Sequence, residues 1–167
     1  MNNNIVEFTI KNLNLRIDKL CDVITYNEAK LKNAKRDNNT SLIKEVGEVL
    51  DRCNKTIDGY ENALKKLNNN GVLTDTDIEY IVKSLTVRKN KLVKRVEDCN
   101  SVIVMHERAL KTKEDMVVGN TAIGNITMKH YDDVAISVIE KSKARLKTIN
   151  TTLDNCNRAL AIFKALK

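Results

Sequence analysis

Proline and tryptophan are absent from the 167 residues, glycine occurs 5 times, and aromatic side chains make up 4% of the chain. At the usual frequency of ~5%, a chain of this length would carry about eight prolines. Sheets turn on glycine, proline, asparagine and aspartate, and fill their strands with β-branched and aromatic side chains. A chain with so few turn clusters cannot supply the connections of a sandwich, a barrel or a doubly wound sheet. No stretch approaches the ~18 consecutive apolar residues of a membrane-spanning helix. The opening Met1-Asn2-Asn3-Asn4 lacks both the basic start and the apolar segment of a secretory signal. These absences lead to the expectation of an all-α protein with no membrane partner, located in the cytoplasm (the host cytoplasm if the chain is viral).

What the chain does have is lysine, asparagine and helical periodicity. Its 29 Lys+Arg outweigh 22 Asp+Glu for a formal net charge of +7, enough to draw anionic partners at low salt. Lysine outnumbers arginine 21 to 8, and there are 21 asparagines. AT-rich genomes favour such residues, as in a phage, a virus or a low-GC bacterium.

Apolar residues recur at alternating steps of three and four, the signature of amphipathic helices. The spacing predicts helices over about 5–36, 41–68, 75–115 and 128–166, with a loop at 116–127, all within a single domain, 1–167. The first stripe runs Val6, Ile10, Leu13, Ile17, Leu20, Ile24, Asn27, Leu31, Ala34. Asn27 interrupts it, either as a register-fixing polar residue of a coiled coil or as one at a bundle end where water reaches it. Asp37-Asn38-Asn39 marks a turn, after which Thr40 or Ser41 is expected to cap the second helix. That helix carries the most regular seam: Ile43, Val46, Leu50, Cys53, Ile57, Tyr60, Leu64, Leu67. Gly71 is expected in the left-handed conformation that ends a helix. Thr74 and Asp77 have capping-box spacing for the third helix. Short connections favour antiparallel neighbours, so the expected fold is an elongated antiparallel four-helix bundle with coiled-coil-like seams. An internal echo fits either helical duplication or two helices under the same heptad constraints: Cys53-Asn54, Ile57, Glu61 and Ala63-Leu64-Lys65 recur as Cys99-Asn100, Ile103, Glu107 and Ala109-Leu110-Lys111.

Catalytic chemistry finds little support. Cys21, Cys53, Cys99 and Cys156 lie 32, 46 and 57 residues apart, without the close pairs of a zinc site. Three of them sit on apolar seams, where free cysteine packs as a small hydrophobe. His106-Glu107 begins a zinc-protease motif, but the residue that should be the second histidine is Leu110. Neither His106 nor His130 follows a glutamate by three residues, so the di-iron bundle pattern is absent. Gly119-x-x-x-x-Gly124 lacks the lysine of a phosphate loop, because Asn125 stands there. No nucleophile is paired with a base. The chain is therefore expected to be no enzyme, with no catalytic residues, no metal and no cofactor.

Basic clusters are the strongest positive signal. Arg88-Lys89-Asn90-Lys91-Leu92-Val93-Lys94-Arg95 holds five cations in eight residues, and Lys141, Lys143, Arg145 and Lys147 form a second run. Arranged on an antiparallel hairpin, they would make a phosphate-binding stripe that does not read sequence. The candidate nucleic-acid or anion-binding residues are Arg88, Lys91, Lys94, Arg95, Lys141 and Arg145, with Lys129 at the start of the fourth helix. Two functions follow as expectations. The first is a helical-bundle interaction protein that forms a homo-oligomer and binds a protein partner, in the manner of a phage or viral accessory or inhibitor protein. The second is a nucleic-acid or nucleotide binder using the basic faces.

Overall fold

All four stretches of three–four periodicity are helices in a computed structural model of the chain: α1 (Asn3–Arg36), α2 (Thr40–Asn68), α3 (Asp75–Met116) and α4 (Ala122–Ala165). The structure describes residues 3–116 and 122–167, and the side chains of all of these except 112–116 and 122–131. There is no strand among the described residues. The fold is all-α, a four-helix bundle. The fourth helix starts at Ala122, inside the stretch expected as a loop. Gly124 is tolerated in its first turn, since a helical glycine costs only about 1 kcal/mol relative to alanine. Of that expected loop, 117–121 lie outside the described residues.

The helix ends follow from local chemistry. α1 and α2 close with the same arrangement, in which an asparagine takes the left-handed conformation, Asn38 at φ 52° and Asn70 at φ 50°. After α1, the Asn38 and Asn39 amides donate to the carbonyls of Lys35 (3.2 Å) and Ala34 (2.9 Å). After α2, the Asn70 and Gly71 amides donate to Leu67 (3.4 Å) and Lys66 (2.8 Å). Both are Schellman closures, which satisfy carbonyls the helix leaves unpaired. The left-handed residue after α2 is thus Asn70, one place before the expected Gly71. Asn39 also caps α2, its side chain accepting from the Leu42 amide at 3.1 Å. It does the work expected of Thr40 or Ser41, and the turn needs no further residue.

The capping box at α3 forms as its spacing predicts. The Thr74 amide donates to Asp77 Oδ2 at 2.7 Å, and the Asp77 amide donates back to Thr74 Oγ1 at 3.3 Å. Lys66 of α2 reaches the same carboxylate at 2.5 Å. Burial opposes ionisation of Asp77, but the Lys66 ammonium and the Thr74 donors outweigh it and hold the carboxyl below its ordinary value.

The chain divides into two compact units, 1–88 with 155–167, and 89–154. The first brings parts of all four helices together. Its buried residues include Ile5 and Leu13 from α1, Tyr60, Leu64 and Leu67 from α2, Ile81 and Leu85 from α3, and Leu160 and Phe163 from α4. Each such side chain contributes roughly 1.5–3 kcal/mol by leaving water. Cys53 and Cys156 are buried here as well, and the Cys156 thiol donates to the Leu85 carbonyl at 3.2 Å. Cys21 is exposed and Cys99 half-buried. Beyond Leu13 the α1 stripe is covered only in part: Ile17, Leu20, Ile24 and Leu31 are half-buried, as is Asn27. The Asn27 amide turns back to its own helix, donating to the Val23 carbonyl at 2.8 Å. Tyr80 of α3 lies against Gly59 of α2, at right angles to Tyr60, with ring centroids 5.8 Å apart.

The second unit is a helical hairpin. Leu92 and Ile103 of α3 and Ala135, Ile139 and Ser142 of α4 are buried, and half-buried Val96, Cys99, Leu146 and Ile149 continue the same stripes. Contacts descend one helix as they climb the other, from Arg95 and Asp98 beside Arg145 and Thr148 to Glu107 beside Lys143. The pair is antiparallel.

Candidate interaction surface

Two helices make one seam, so the hairpin of 89–154 has two uncovered faces. One residue step turns a helix by about 100°. In an antiparallel pair, residues that follow a seam position by one share one face on both helices, and those that precede it share the other. The ion pair Lys143–Glu107 (3.1 Å) lies on the first face, each residue following a seam position (Ser142 and His106). Arg95, Asp98, Arg145 and Thr148 precede Val96, Cys99, Leu146 and Ile149, and with Cys99, Ala144 and Ile149 they line one groove of about 560 Å³.

The two faces differ in chemistry. The first carries exposed Val93, Val104 and Ile136 among charges of both signs, Glu97, Glu107, Lys111, Glu140, Lys143 and Lys147. The second carries Lys91, Arg95, Lys141 and Arg145, all exposed, against the single carboxylate of Asp98. Among the described residues no ion pair neutralises any of these four cations. Farther along that face stand exposed Val134 and half-buried Val102 and Val138, while exposed Met105 lines a shallow hollow on α3 with Ser101, Val104 and Arg108.

Four of the seven candidate residues, Lys91, Arg95, Lys141 and Arg145, therefore share one face. Lys94 is exposed, but two residue steps from the seam turn it to the outer side of α3. Arg88 belongs to the other unit. It is half-buried, with its guanidinium 5.9 Å from the centre of the Phe8 ring of α1 and its Nε buried without a partner. α1 supplies an aromatic face that the periodicity of α3 alone does not announce. The Lys129 side chain lies outside the described residues. Asp98, Thr148 and Val134 share this face too, although single-helix periodicity shows them only as unremarkable flanking positions.

Among the described residues, no three His, Cys, Asp or Glu side chains gather in a metal-binding group, and no helix is long and apolar enough to cross a membrane. What the arrangement can do is associate, through a mixed apolar face and a cationic groove. No protein-family model, curated protein or solved structure matches the chain.

Proposed function

We propose that this chain is a non-enzymatic interaction protein that self-associates and binds a protein partner through its α3–α4 hairpin. The observation that carries the reading is the apolar surface the hairpin leaves in water: Val93, Val104, Met105, Val134 and Ile136 are 37%, 43%, 59%, 48% and 46% exposed. In a four-helix bundle each helix is covered on two sides; in this hairpin each is covered on one. Grouped apolar residues on helix faces mark association surfaces. The face around Val104, with charges of both signs, suits a second copy, because an isologous contact must be complementary to itself. The opposite face, with four cations and one carboxylate, repels its own copy and suits an anionic partner. A small proline-free bundle with an AT-rich residue bias fits a phage or viral accessory or inhibitor protein, working in the host cytoplasm.

Native mass spectrometry of the protein purified at low salt from its own host tests the reading. It expects multiples of the 18.9 kDa chain together with a discrete added protein mass. A bare monomer overturns it. Added mass from nucleic acid or nucleotides, lost as salt rises, transfers the function to the second reading, polyanion binding by the Arg95–Arg145 groove.

A further inference from the structure

Resting on that reading, we propose that the cationic face of the hairpin is a groove for an acidic amphipathic helix of the partner protein. Three features of the face specify this occupant. Its floor is apolar, with half-buried Cys99 and Ile149 between the arginines and Ala144 at the edge, and Val102, Val134 and Val138 follow on the same face. Its rims are cationic on both sides, Lys91 and Arg95 on α3 and Lys141 and Arg145 on α4. Its shape is a trough between two parallel-lying cylinders, the geometry into which a third helix packs. The ligand is thus a helix with an apolar stripe to cover the floor and carboxylates flanking it.

The two ends of the face refine the pattern. Lys91, Arg95, Arg145 and Thr148 are toward one end, and Val102, Val134 and Val138 toward the other. A bound helix carries its acidic residues where the arginines stand and its apolar residues over Val134 and Val138. Arginine suits this role, since its planar fork binds carboxylate in two-pronged fashion. The observations favour protein over nucleic acid. Phosphates would use only the cationic end and leave the apolar half in water. Among the described side chains of the face there is no aromatic ring for base stacking.

The test is an unbiased selection on the full chain, from a display library of peptides about 18 residues long, enough for five helical turns. The expected result is a family with apolar residues at three–four spacing and Asp or Glu clustered toward one end. The selected peptides are expected to bind at least tenfold more weakly to Arg95→Gln/Arg145→Gln. They should weaken severalfold in Val134→Ser. All three side chains are exposed, so circular dichroism melts of the variants should match the parent.

Failure to enrich any such family, or enrichment of peptides whose affinity neither variant changes, overturns the proposal. So does a single-stranded oligonucleotide of similar length that binds more tightly than the selected peptides and is weakened by the arginine changes alone. If the native complex keeps its added protein mass in both variants, the interaction reading stands while this groove as its site falls.

Discussion

Gly47 and Gly59 stand twelve residues apart in α2, and replacing each by alanine is the same chemical change. The structure assigns the two changes opposite signs. A methyl group added at Gly47 meets nothing within 4 Å. The helix then gains the difference in intrinsic preference between glycine and alanine, about 0.5–1 kcal/mol. At Gly59 the methyl group runs into the ring of Tyr80, which must leave its place. Tyr80 is half-buried, so displacing it forfeits about half of the ~1.5–3 kcal/mol for burying such a ring. Its edge-to-face contact with Tyr60 adds roughly 0.5–1.5 kcal/mol. Subtracting the helical gain leaves Gly59→Ala destabilising by about 1–2 kcal/mol, so the two variants should differ by roughly 2–3 kcal/mol. Urea melts at pH 7 read this directly, and in thermal melts 1 kcal/mol corresponds to ~2–4 °C for a chain of this size. A companion pair isolates the cause. In a Tyr80→Ala background, Gly59→Ala should become as favourable as Gly47→Ala. If Gly59→Ala stabilises the intact chain, the packing of α3 on α2 argued from Tyr80 is wrong.

Two further predictions concern the helix ends. Asp77, held below its ordinary carboxylate value of 3.8, contributes stability that is present above that value and fades as pH falls below it. Asp77→Asn should therefore cost most at neutral pH and progressively less toward pH 3; urea melts across that range check it, and a pH-independent difference would refute the assignment. Asn38 at φ 52° should accept glycine with little change. Alanine there should lower stability by roughly 1 kcal/mol, the strain of a side chain in the left-handed region. Equal melting temperatures for Asn38→Gly and Asn38→Ala would refute the Schellman closure.

Much of this fold is legible in the residues because the forces that fix it are local. The capping box at Thr74 and Asp77 depends on two side chains three positions apart, and nothing distant overrides it. The left-handed closures were harder to place. Gly71 has the stronger intrinsic preference for that conformation, but the choice is made by where the last unpaired carbonyls of α2 fall, and they select Asn70. Contacts between helices were not legible. No pattern within α2 or α3 announces that Tyr80 rests on Gly59. By periodicity alone Arg88 belongs with Lys91 and Arg95, yet Phe8, eighty and more residues from all three, takes its guanidinium.

The cationic face shows where reading one helix at a time stops. Lys91, Arg95, Lys141 and Arg145 each precede a seam residue by one position: Leu92, Val96, Ser142 and Leu146. That regularity is visible in the sequence, but within a single helix a residue before the seam and one after it are mirror alternatives with nothing to choose between them. Antiparallel pairing breaks the tie. It reverses the sense of rotation on the second helix as well as its direction, so the positions before the seam on α3 and α4 fall on one side together. The same operation gathers Glu107 and Lys143 onto the other side, where they neutralise each other at 3.1 Å. The charges of these two faces are thereby sorted into one balanced face and one with four cations against a single carboxylate. That sorting is a reason to treat the groove between Arg95 and Arg145 as a candidate site: water and salt screen part of the repulsion among exposed like charges, and an anionic partner filling the groove would relieve the rest.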